Sequence, residues 1–284
     1  MSEVHHFAYG YFNPIAAFVL AFLGSLLGLV CTARARHARS AGRRARWLLL
    51  ASLAIGGTGI WLMHFMAMIG FDVPHSPVRY DPVVTFISLV LAVLTVGVGL
   101  FIAAQGGDVS PVRIVTGGGF TGLGVVAMHY TGMAAMRVAG HIGYDPGLVG
   151  ASVAIAVVAA TVALWFAVSV RRLSSIAGAA VVMAVAACGM HYTAMAAVRV
   201  QLGGDGRVAG ISPFVLIVPI VLLAALGLIT TLFSALQAMT QEEFEGEPGR
   251  PRHRMSLSTV VPAQRATGHA PVRAHAHRAA GVGR

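Results

Sequence analysis

Three segments, Met63-His64-Phe65-Met66-Ala67-Met68, Met128-His129-Tyr130-Thr131-Gly132-Met133 and Met190-His191-Tyr192-Thr193-Ala194-Met195, are versions of one pattern, Met-His-x-x-x-Met. Each lies near the end of a long apolar run that holds no Asp, Glu, Lys or Arg. On a helix, the methionine four residues after the histidine sits about 40° round from it, and the one before it about 100° the other way. Each imidazole therefore shares a face with at least one thioether. Eight of the 12 methionines fall in or just after these segments, whereas methionine used as gap filler would be scattered through every apolar run. Neutral imidazole with soft thioether suits copper, Cu(I) above all, better than zinc, calcium or magnesium, which take harder or anionic donors. A second reading is a polar layer that ties helices together by hydrogen bonds, with Tyr130, Tyr192, Thr131 and Thr193 as partners of the imidazoles.

The elements that carry these residues are membrane helices. Apolar and sulfur residues make up 57% of the 284 positions and charged residues 11%, and mean hydropathy is +0.78, far from a soluble domain. Runs long enough to cross a bilayer, about 20 residues, are read at roughly 14–33, 47–70, 83–104, 113–136, 147–170, 174–198 and 213–236. The expected fold is all-α, a polytopic membrane protein of seven transmembrane helices over residues 1–236. His64, His129 and His191 lie 18, 16 and 19 residues beyond Arg46, Arg113 and Arg172, or roughly 24–28 Å along a helix. They share one layer at one edge of the bilayer.

The chain also repeats. Asn13-Pro14, Asp81-Pro82 and Asp145-Pro146 each read as a helix cap followed by a first-turn proline, and each precedes a motif histidine by a similar interval. This makes three helical hairpins plus a final helix. Glycines and alanines before the motifs, such as Gly56, Gly59, Gly117, Gly122 and Ala184, predict close approach of the even helices to one another. All 20 basic residues are arginines: nine follow spans one, three and five, four follow spans two, four and six, and seven are in the tail. By the positive-inside rule the N-terminus is outside and the C-terminus cytoplasmic. The net charge of +10 thus follows topology and calls for no nucleic acid. No cleavable leader is expected, since residues 2–13 include Glu3 and lack a basic start. Residues 237–284, acidic and then rich in Arg, His and Pro, read as a disordered cytoplasmic tail. His5-His6 and His275-Ala276-His277 read as solvated, with weak metal capture as the alternative.

These features resemble the MHYT integral membrane sensor domain of bacteria, over about residues 10–236. The resemblance rests on the Met-His-Tyr-Thr segments at the ends of the second, fourth and sixth spans and on the Tyr-Asp-Pro openings at 80–82 and 144–146. It implies a multi-pass protein of the bacterial plasma membrane that binds copper through its motif residues and, through the metal, senses O2, CO or NO. The implied ligands are Met63, His64, Met68, Met128, His129, Met133, Met190, His191 and Met195. The first copy departs from the pattern, with Phe65 and Met66 where the others have Tyr and Thr. Many members continue into GGDEF and EAL domains that make and degrade cyclic di-GMP; the residues after Leu236 are too few for either, so a stand-alone sensor with a separate cytoplasmic signalling partner is expected. No catalytic nucleophile or carboxylate pair is visible, and no enzyme is expected. Two alternatives remain: a haem-binding electron carrier with the same histidines as axial ligands, and a copper transporter or receptor.

Overall fold

The computed structural model describes residues 8, 10–74, 76–105, 109–203 and 208–213, with scattered positions between 215 and 233. The seventh expected span, 213–236, lies mostly outside the described residues. The tail 237–284, His5 and His6 lie wholly outside them. Within the described residues the chain forms α1 (Phe12–His37), α2 (Ala41–Ser52), a π-helical segment (Leu53–Leu62), α3 (Met63–Ile69), α4 (Pro82–Ala104), α5 (Pro111–Ala135), α6 (Pro146–Ser169) and α7 (Leu173–Ala196). With α2, the π segment and α3 counted as one rod, six helices are long and apolar enough to cross a membrane. Their outward faces carry Val83, Phe86, Leu94, Val115, Val158 and Val185, all exposed, a surface suited to lipid.

The six spans pack in sequence, each against the next, and α7 returns to α1. The second, fourth and sixth spans are thus alternate members of a closed ring, which turns the three motifs toward one axis. The expected mutual approach of these even helices is corrected here. Their glycines meet the odd helices instead: a Cβ at Gly56 would lie 2.7 Å from the Ala92 carbonyl on α4, and one at Gly122 would lie 2.5 Å from Val157 Cα on α6. The small residues draw each even helix between its odd neighbours, and the even helices come together only where the histidines reach inward.

The π segment is the feature that helix propensity does not foretell. Each wide i→i+5 turn adds a residue relative to an α-helix and rotates the helix beyond it, so this segment sets the face on which His64 emerges. Its Gly59 lies against Gly24 of α1, and its Trp61 indole donates to Ser88 Oγ of α4 at 2.9 Å.

The caps follow the repeat. Asp81 Oδ1 accepts from the amides of Val83 and Val84 at 3.0 and 3.2 Å, and Asp145 Oδ1 accepts from Gly147 and Leu148 at 3.0 and 3.1 Å. Asn13 differs from the expected cap: it lies inside α1, buried, and its amide donates to the Met66 carbonyl at 3.0 Å. In the second and third hairpins the capping carboxylate also meets an arginine just beyond the even helix, Arg137 with Asp81 at 2.7 Å and Arg199 with Asp145 at 4.0 Å. At the opposite end of the bundle Arg36 of α1 donates to the carbonyls of Ala167 and Val170, groups that the end of α6 leaves without helical partners.

The Val84 amide, then the Arg137 guanidinium, hold the Asp81 carboxyl below its ordinary range. A depressed folded value stabilises above the unfolded carboxylate value of about 3.9 and is lost as pH falls through the folded one. Melting curves of wild type and Asp81→Asn are expected to show a small wild-type advantage at neutral pH that closes in acid.

Among the described residues, four short strands outside the expected all-α fold cover the histidine end: β1 (Arg79–Tyr80), β2 (Met136–Arg137), β3 (Gly140–Tyr144) and β4 (Val198–Leu202). β1 pairs with β2 and β3 with β4, both antiparallel, the second with Ile142 opposite Val200. Tyr80 also exchanges backbone hydrogen bonds of 2.9 Å with Ile211. The period-2 signal was present in β4, where buried Val198 and Val200 flank exposed Arg199. Such short strands exist only through pairing between distant loops, which local pattern does not reveal.

Candidate metal centre

His64 enters from α3, His129 from α5 and His191 from α7, and all three are 1% exposed. One ring nitrogen from each lies within 4.8 Å of the others. The rings meet edge to face, with centroids 4.8 Å apart for His64–His129, 5.0 Å for His64–His191 and 5.2 Å for His129–His191. His64 Nδ1 and His191 Nδ1 are 3.1 Å apart, so one donates to the other. Among the described residues, His64 Nε2 and both nitrogens of His129 have no hydrogen-bond partner. Buried polar atoms are rarely left so, because each orphan costs about 1–3 kcal/mol.

Two of the four hydroxyls that a purely structural layer would use, those of Tyr130 and Thr193, bond elsewhere. Tyr130 hydrogen-bonds Ser152 at 3.2 Å, and Thr193 donates to the Gly189 carbonyl one turn back at 2.7 Å. Three buried imidazoles thus converge, and three of their six nitrogens have no hydrogen-bond partner among the described residues. That donor set fits a transition-metal ion.

The six methionines that flank the motif histidines, Met63, Met68, Met128, Met133, Met190 and Met195, are buried at 3% exposure or less. Five of them share one buried cluster with Trp61, Phe65 and Tyr80. Met63 packs apart, with Ala17, Ala21 and Ala184 between α1 and α7. Cys31 is a buried and Cys188 a half-buried free thiol.

Two residues that bear on the site were not singled out from sequence. Tyr80, 1% exposed, packs on Phe65 at 6.0 Å and donates to the Met68 carbonyl at 3.3 Å; burial pushes its phenol up, keeping it a neutral donor. Gly132 is the other. A Cβ there would lie 2.5 Å from His64 Nε2, and the equivalent positions in the other copies are Ala67 and Ala194. That departure between otherwise matching motifs was the available signal. Gly132→Ala is expected to displace the His64 ring and weaken metal binding by about 10–100-fold, the range for changes behind a ligand. Competition with a copper chelator measures it, with circular dichroism as the check on folding.

Residues 57–116 and 122–180 match the family described as MHYT, bacterial signalling protein N terminal repeat. The bifunctional diguanylate cyclase/cyclic di-GMP phosphodiesterase MucR of Pseudomonas aeruginosa is 37% identical over 242 residues, 81% of this chain and 34% of that protein. Cyclic di-GMP phosphodiesterase NbdA of the same organism is 35% identical over 187 residues, 64% of this chain and 23% of that one. Signaling protein YkoW of Bacillus subtilis is 33% identical over 162 residues, 53% of this chain and 19% of that one. The chain thus spans about a third or less of the length of these curated relatives. No solved structure matches it. With three copies of the motif on alternate spans and two stretches that match the family, the chain belongs to the MHYT family of bacterial signalling proteins.

Proposed function

We propose that this chain is a membrane sensor that binds copper at His64, His129 and His191, with thioethers of the motif methionines completing the ligand set, and that the bound metal takes up O2, CO or NO. The observation that carries this is the set of three buried imidazoles whose nitrogens converge while three of those nitrogens have no hydrogen-bond partner among the described residues. The motif methionines, one and four residues along the same helices as the histidines, would favour a soft ion; Met68, Met128, Met133, Met190 and Met195 share one buried cluster and rank ahead of Met63, which packs in another. Ring centroids about 5 Å apart leave no slot for a planar macrocycle, which favours an ion over haem. One such group of three occurs among the described residues, and a transport path would want a second along the axis.

The arginine distribution supports the orientation with the triad near the outer face, seven spans in the bacterial cytoplasmic membrane and the C-terminal side in the cytoplasm. The bilayer is then one partner and a cytoplasmic signalling component the other. A ligand shifts such a protein only by its different affinity for two states. Infrared spectra of the Cu(I)-loaded protein under CO test the sensor reading: a new stretching band is expected in wild type and absent in His129→Ala. A loaded wild-type protein without any band under CO or NO, and without a spectral change under O2, would remove gas sensing.

A further inference from the structure

The triad is buried on every side, so an ion must reach it through protein; a credible metal site needs an entry path. At the strand-covered end a cleft of about 570 Å³ opens, and Met133 lines it. Met133 is the motif methionine one turn beyond His129 and is 0% exposed. Above it the cleft is lined by Met136, Arg137 and His141, among others. Met136 is 4% exposed, while His141 on β3 points to solvent. The cleft lining thus combines an exposed imidazole with two buried thioethers, one of them four residues beyond a triad histidine on the same helix.

The electrostatics of the cleft agree. Arg137 is the one arginine among its lining residues, and its guanidinium is paired with the Asp81 carboxylate at 2.7 Å, which offsets the charge that would otherwise repel a cation. The remaining polar side chains of the lining are the imidazole of His141 and the phenol of Tyr144, neither of them a carboxylate or a guanidinium.

We propose that this cleft is the port through which a soft monovalent cation is captured by His141 and handed through Met136 and Met133 to the triad. The proposal rests on the triad being a metal centre. Each step exchanges one neutral donor for another on the same ion, so the ion stays monovalent and no electron or proton moves. Single thioethers are weak ligands that release readily, which suits transfer better than storage.

The test uses Ag(I), a redox-inert ion of the same class, added to the purified full chain and stopped by chelator at timed intervals, with bound silver read by mass spectrometry. Two variants are compared with wild type: His141→Ala combined with Met136→Leu, which removes the transfer donors, and Ala134→Trp, which fills the cleft from an exposed lining position. Both are expected to load several-fold more slowly and to reach the wild-type silver content. Wild-type loading rates in both variants would overturn the port. A reduced final content at an unchanged rate would overturn it too, by making these residues part of the centre. Wild-type protein that takes up no silver would instead overturn the metal-centre reading beneath it.

Discussion

His129→Leu is expected to separate metal binding from folding: metal affinity falls by about 100-fold or more, while the metal-free protein melts at the wild-type temperature or above it. Neither nitrogen of His129 has a hydrogen-bond partner among the described residues, so in the metal-free fold this ring carries an uncompensated burial cost, and an aliphatic side chain of similar size removes that cost. Were His129 a hydrogen-bonding strut, the same substitution would break its bonds and destabilise the bundle. The metal-bound comparison runs the other way. A ligand at 100 times its dissociation constant stabilises by about 2.7 kcal/mol, so copper should raise the melting temperature of wild type and leave that of His129→Leu in place. Thermal melts with and without Cu(I), alongside chelator competition, read both effects.

Gly24→Leu is expected to have the largest effect on stability, because the obstacle is backbone. Even the first carbon of a side chain at Gly24 would lie 2.5 Å from Gly59 Cα and 2.6 Å from the Ala54 carbonyl oxygen, within the π segment. Ordinary overpacking costs about 1–3 kcal/mol when side chains can yield. Here two helix backbones would have to separate, so a loss of about 3 kcal/mol or more is expected. The crossing also sets the rotation of α3, so any folded Gly24 variant should bind copper less tightly. Gly119→Leu is the control: that position meets nothing within 4 Å and should tolerate the change. Detergent-solubilised yield and melting temperature of the two variants distinguish local crowding from a general cost of larger residues.

Much of the centre was legible in the sequence because periodicity and depth are arithmetic. Three histidines at matching distances from the arginine-bearing end, on alternate helices of a repeated hairpin, had to occupy one layer, and Asp81 and Asp145 had to cap α4 and α6. The parts that were not legible depend on contacts between elements. The π segment at Leu53–Leu62 has only a run of glycines to announce it, and glycine in a membrane helix more often signals packing. The destination of the even-helix glycines, against α1 and α4 for the π segment and against α4 and α6 for α5, follows from the order of the ring, which helix faces alone do not determine. Asn13 resembled Asp81 and Asp145 in sequence, yet its burial against Met66 makes it a tie between spans one and two. Met63 shares the motif with Met128 and Met190 but comes directly after a π-helical turn, and its packing with α1 and α7 differs accordingly.

The most direct measurement is the copper content of purified protein after Cu(I) loading and removal of free ion, for wild type beside the His64→Ala, His129→Ala, His191→Ala triple variant. A single converging triad should hold about one copper per chain, and the folded variant should hold none. Folded wild-type protein that remains metal-free, or a triple variant that retains the full copper content, would contradict the assignment of these histidines as the metal centre.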